Sequence, residues 1–81
     1  MNSPQRLQDA FRKGLALPAA FDVTHAELAG VKQWDSVAHL QLVIAIEDEF
    51  QVRLDPTDVI DLKSYPSAVG ILQRLGAWQD A

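Results

Sequence analysis

The sequence predicts an all-α domain: a bundle of three longer helices and one short one, with a long first connection. Three observations predict it. Apolar residues recur at helical spacing in three stretches, near positions 7–15, 37–50 and 68–75. Helix-starting residues precede each stretch and one shorter segment: Ser3-Pro4, Asp35-Ser36, Asp55-Pro56 and Ser64-Tyr65-Pro66. No sustained apolar–polar alternation competes with that period, so a sheet has no candidate strands.

Taken in order, Ser3 offers a capping hydroxyl and Pro4 a first helical position where a missing N–H costs nothing. Leu7, Ala10, Phe11 and Leu15 form the first stripe, and Pro18 is expected to end it. A long connection then runs over 17–34, with a short turn expected within 26–30. Asp35 caps the second helix, 36–50, which contains neither glycine nor proline. Its stripe is read as Val37, Leu40, Val43, Ile46/Glu47 and Phe50. Leu42, Ile44 and Ala45 are apolar as well, so either the helix is central or part of its outer face is apolar for a partner. Residues 51–54 are too short for a convincing strand. Asp55-Pro56 restarts a helix of about one and a half turns over 57–62. Ser64 caps the last helix, whose core face is Ala68, Val69, Leu72 and Leu75, with Gly76 as its stop.

The 81 residues form one domain, 1–81, with its core at about 4–76 and a tail at 77–81. A chain this small has little room for a deep substrate cavity. With no cysteine it has no disulfide, thiol nucleophile or cysteine-based zinc site, and His25 and His39 are too few for a histidine cage. No apolar run approaches the ~18 residues needed to span a bilayer, and the first residues are polar. The expectation is a soluble, cytoplasmic monomer without a targeting segment. The formal charge of −4 is unevenly placed, because positions 35–61 hold seven acids and a single base, Arg53. Such a field repels nucleic acid and anionic membrane and steers basic protein surfaces into contact.

The segment best suited to carry chemistry is Trp34-Asp35-Ser36-Val37, leading into the second helix and its acidic exit Glu47-Asp48-Glu49-Phe50. A serine at a helix start sits among free N–H groups and the positive end of the dipole, which favour an anionic group on its hydroxyl. The plainer reading of Asp-Ser before a helix is a cap alone. Context over the rest of the chain weighs against that plainer reading. Positions 34–40 (Trp-Asp-Ser-Val-Ala-His-Leu), 42–50 (Leu-Val-Ile-Ala-Ile-Glu-Asp-Glu-Phe) and 52–54 (Val-Arg-Leu) resemble the acyl carrier and peptidyl carrier protein family. The resemblance extends over most of 7–75, including the short third helix and the last one. Val37 stands where leucine or isoleucine is commoner, and Gln33 where a glycine is frequent. Both departures point to a specialised carrier more than a housekeeping fatty-acid one.

The resemblance implies a four-helix acyl-carrier-like bundle that bears a covalent 4′-phosphopantetheine arm, taken from coenzyme A, on Ser36. It implies contact of Asp35 with the phosphopantetheinyl transferase or its metal-bound cofactor. Val37, Gln41 and Ile44 would form a docking surface, with Glu47 and Asp48 pairing to Arg and Lys of partners. Those partners would be an acyl-loading enzyme, either an acyltransferase or an adenylating ligase, and a downstream synthase or transferase. The implied role is to carry acyl or aminoacyl groups in polyketide, nonribosomal peptide or other specialised biosynthesis, as a free-standing carrier and not an enzyme. The alternative is a carrier-fold interaction domain that is never modified.

Asp35, Ser36 and His39 are also the residue types of a hydrolase triad. Three groups within one helical turn cannot readily place the acid behind the imidazole and also supply an oxyanion hole. His39 is instead expected at the surface near the arm, Trp34 to pin the connection against the bundle, and Trp78 to lie in the tail.

Overall fold

Side-chain caps start three of the four α-helices in the computed structural model, which describes residues 3–28, 30–32 and 34–78. The helices are α1, Ser3–Leu15; α2, Ser36–Phe50; α3, Pro56–Asp61; and α4, Tyr65–Arg74. The Asp35 carboxylate accepts from the Ala38 N–H at 2.9 Å, and Asp55 accepts from the Asp58 N–H at 2.9 Å. Ser64 accepts from Ser67 N–H at 3.2 Å while the Ser67 hydroxyl accepts from Ser64 N–H at 3.0 Å, a reciprocal capping box. Among the described residues there is no strand, only an isolated antiparallel bridge between Glu27 and Ser64. The domain is all-α. No helix among the described residues is long and apolar enough to cross a membrane.

Two expectations about helix ends change. Ser3 is a buried residue inside the helix and not the exposed cap before it. Pro18 does not end α1: Ala16 turns left-handed (φ 53°) and the Leu17 N–H reaches back to the Arg12 carbonyl at 3.0 Å. Gln51 (φ 53°) closes α2 and Gly76 (φ 74°) closes α4 in the same way, through Val52 N–H to Glu47 O and Ala77 N–H to Leu72 O. Only the third of these uses the expected glycine.

The long connection is tied down at several of its described residues. Val23–His25 makes one 3-10 turn capped by Asp22. The Thr24 hydroxyl, and after it the His25 ring, hold the exposed Asp22 carboxyl below its ordinary value. The predicted turn forms through Gly30 N–H to Glu27 O at 3.0 Å, with Ala29 and Gln33 outside the described residues. Leu28 N–H donates to Lys63 O at 2.8 Å and Tyr65 N–H to Ala26 O at 3.1 Å, stitching the connection to the start of α4.

Phe11 lies at the centre of the core. Trp34 meets it edge-on at 5.8 Å and 89°, and Tyr65 tilts against it at 5.6 Å. Around them pack Leu7 and Leu15 of α1, Leu42 and Ile46 of α2, and Leu72 of α4. The α4 face is rotated slightly from the expected one: Ile71 is buried, whereas Val69 and Leu75 are half-buried. Ala77 and Trp78, expected in the tail, pack half-buried against the core; residues 79–81 of that expected tail lie outside the described residues.

α1 and α2 approach most closely at Gly14, where a Cβ would stand 2.6 Å from the Leu42 Cα. Backbone cannot yield as a flexible side chain can, so Gly14 is required by contact. Gly70, in the exposed middle of α4, has nothing within 4 Å of its missing Cβ. The two glycines predict opposite outcomes in chemical denaturation. Gly14→Ala should destabilise the domain by about 1–3 kcal/mol or more, whereas Gly70→Ala should stabilise it by about 0.5–1 kcal/mol.

Candidate functional site

Ser36 is the first residue of α2 and is exposed to solvent. Because Asp35 satisfies the Ala38 N–H, the N–H groups of Ser36 and Val37 remain at the open helix end. An anion at this position gains about 0.3–1 kcal/mol from the helix dipole.

Ser36 stands on the rim of an open groove of about 620 Å³. The connection contributes Leu28 and Trp34 to it, and α2 contributes Asp35, Ser36, His39 and Leu40. The far wall is Val59 and Ile60 of α3, followed by Leu62. Apart from Asp35, Ser36 and His39 this lining is apolar. Two of its members are unusually exposed for their type, Leu40 at 59% and Ile60 at 69%.

His39 closes the inner side of the groove. Trp34 Nε1–H can only donate, so at 2.8 Å it fixes His39 Nδ1 as the unprotonated acceptor. The remaining ring proton sits on Nε2, 2.8 Å from the Val59 carbonyl oxygen, which can only accept. The imidazole also stacks on the indole, with centroids 6.0 Å apart and 23° between planes. His39 is therefore half-buried and bonded on both nitrogens, not a free surface residue. That pairing removes it as a base for Ser36. Trp34, only 4% exposed, pins the connection as its position implied.

The residues read from the sequence as a docking surface divide into two groups. Val37, Gln41, Ile44 and Asp48 share the exposed side of α2. Leu40, expected on the core stripe, joins them, while the buried face is Leu42, Val43, Ile46 and Phe50. At about 100° per residue these are two apolar stripes on opposite sides of one helix, and the periodicity alone did not say which faced inward. Glu47 is half-buried and its carboxylate accepts from the Leu54 N–H at 2.8 Å.

Internal pairing thins the acidic band. Asp58, 2% exposed, is hydrogen-bonded by Arg74, and Glu49 pairs with Arg6, whose guanidinium also lies 4.7 Å over the Phe50 ring. Asp35 and Asp55 are exposed but each caps a helix with one oxygen, whereas Asp48 and Asp61 are exposed and cap no helix.

Comparison with protein-family models, curated proteins and solved structures gave no match. What the site can do therefore rests on its own geometry: an exposed hydroxyl at an anion-favouring helix end, beside an apolar groove and an apolar–acidic helix face.

Removing either partner of the Trp34–His39 bond leaves a buried polar atom unpaired. Trp34→Phe should cost about 1–2 kcal/mol and His39→Ala about 1–3 kcal/mol. In a domain this small each kcal/mol lowers the Tm by roughly 4–8 °C. A calorimetric scan showing both variants melting with the wild type would contradict the bonded arrangement.

Proposed function

We propose that the chain is a carrier protein with an acyl-carrier-like bundle, modified on Ser36 with 4′-phosphopantetheine from coenzyme A. The observation that carries this reading is the placement of the Ser36 hydroxyl: solvent-exposed, at the capped start of α2, beside an apolar groove. The residues fit such a group. The rim is open enough for a modifying enzyme to reach the hydroxyl, and the helix end favours a phosphodiester there. When attached, the arm supplies a thiol that holds acyl or aminoacyl groups as thioesters.

The chain's own residues supply address and position. Ser36 would provide the oxygen that takes the phosphopantetheinyl group, the phosphoanhydride of coenzyme A breaking to release adenosine 3′,5′-bisphosphate; the serine proton is removed by the phosphopantetheinyl transferase, because His39 is already bonded on both nitrogens. Asp35 holds the helix start in shape and presents its second oxygen to that enzyme. Val37, Leu40, Gln41 and Ile44 offer a docking face to the acyl-loading enzyme and to the downstream synthase or transferase, with Asp48 at its acidic end. Rim charges of this kind set encounter rate and partner choice more than affinity. In this reading the chain has no catalytic activity of its own. It acts by keeping the cargo at high effective concentration near a docked partner.

Incubation with coenzyme A, magnesium and a broad-specificity phosphopantetheinyl transferase, read by intact mass, tests this function. Wild type should gain one phosphopantetheine and Ser36→Ala none. Asp48→Lys should be modified more slowly at low salt, the difference narrowing as salt screens the field. Folded wild type that gains no mass would favour an interaction domain using the same apolar face without modification.

A further inference from the structure

Trp34 lines the groove on one side and meets Phe11 of the core on the other, and His39 beside it in the lining is bonded on both ring nitrogens. Trp34 comes from the connection, His39 from α2 and the Val59 carbonyl from α3, so one imidazole joins three segments directly beside Ser36. In the core, Leu42 and Ile46 of the same helix are each at most 1% exposed. In the groove, Leu28, Leu40 and Ile60 are exposed. α3 is a short wall of six residues, anchored elsewhere by the Asp58–Arg74 pair and by the burial of Leu62. The His39–Val59 bond ties it to α2.

We propose that His39 is a latch that keeps the seam between α2 and α3 shut, so that an apolar chain tethered at Ser36 lies in the surface groove against Leu40 and Ile60 and not inside the bundle. Entry to the core from Ser36 would have to displace the imidazole. That breaks both of its hydrogen bonds and leaves the Trp34 N–H, on a ring 4% exposed, without an acceptor. Seating in the groove breaks neither and covers leucine and isoleucine surface that solvent otherwise wets. The groove volume lies within the range of small-ligand sites. His39 is thus a positioning residue: it touches no reacting atom and decides on which side of the seam the cargo lies. The inference rests on Ser36 as the attachment point, and it restricts cargo to chains that tolerate an open, partly wetted seat.

The test needs no transferase. Because the chain has no cysteine, Ser36→Cys carries the sole thiol and can be alkylated with N-octyl iodoacetamide, sulfur displacing iodide. Methyl NMR spectra are compared before and after alkylation, with His39 intact and in His39→Ala. With His39 intact, the methyls of Leu28, Leu40 and Ile60 should shift while those of Leu42 and Ile46 stay. In His39→Ala the core set should shift too. Should His39→Ala fail to fold, Trp34→Phe, which removes the indole donor together with part of the ring, is read the same way. Core shifts with His39 intact would overturn the latch, and so would an unmoved core in the opened variants. No shift of the groove methyls would place the octyl chain in solvent and overturn the groove seat. Failure of Ser36 to accept phosphopantetheine would overturn the carrier reading separately, without altering what the alkylated cysteine reports.

Discussion

The hydrogen-bond chain from Trp34 through His39 to the Val59 carbonyl is the constraint on which the rest of the site depends. A long connection has no helical ladder to hold it, and its entropy of ordering must be offset by specific contacts. Here several contacts converge on one indole, which meets Phe11 in the core and the half-buried His39 at the start of α2. The consequence is local: with Trp34 fixed, Asp35 and Ser36 follow immediately, so the cap and the exposed hydroxyl inherit a defined position. The same imidazole then sets the distance to α3 and hence the width of the groove.

Packing on the opposite side of α2 supplies the rigidity against which that arrangement works. Gly14 lets the α1 backbone approach Leu42 closely, and Phe11 and Leu15 fill the space on either side. α2 is thereby held on its inner face by apolar contact and at its start by polar bonds. Its outer face is left without a partner in the fold, with Val37 at 65% and Ile44 at 56% exposure. Exposing such residues is unfavourable for an isolated domain. It suits a surface that meets other proteins.

Much of this was legible in the sequence, for reasons tied to particular residues. Asp35, Asp55-Pro56 and Ser64 are local signals whose chemistry acts within a few residues, and each begins a helix where expected. The all-α class followed from periodicity over long segments. Legibility failed where the deciding partner was distant in sequence. Leu40 and Leu42 are equally apolar, and only the position of α1 determines which is buried. His39 gave no sign of its two hydrogen bonds, because Val59 lies twenty residues away. Arg74 and Arg6 neutralise Asp58 and Glu49 across the bundle, which a count of acids along the chain could not show. Ala16 and Gln51 adopt the left-handed turn without glycine, so the end of α1 was placed at the more visible Pro18.

His39 is held between an obligate donor, the Trp34 indole N–H, and an obligate acceptor, the Val59 carbonyl, and its ring nitrogens report on this directly. Long-range proton–nitrogen NMR near neutral pH should show His39 as the Nε2–H tautomer, with an unprotonated Nδ1 and a Trp34 indole proton slow to exchange with solvent. An Nδ1–H tautomer, or a Trp34 indole proton exchanging as freely as an exposed one, would contradict the account: the seam beneath Ser36 would then not be shut by this residue.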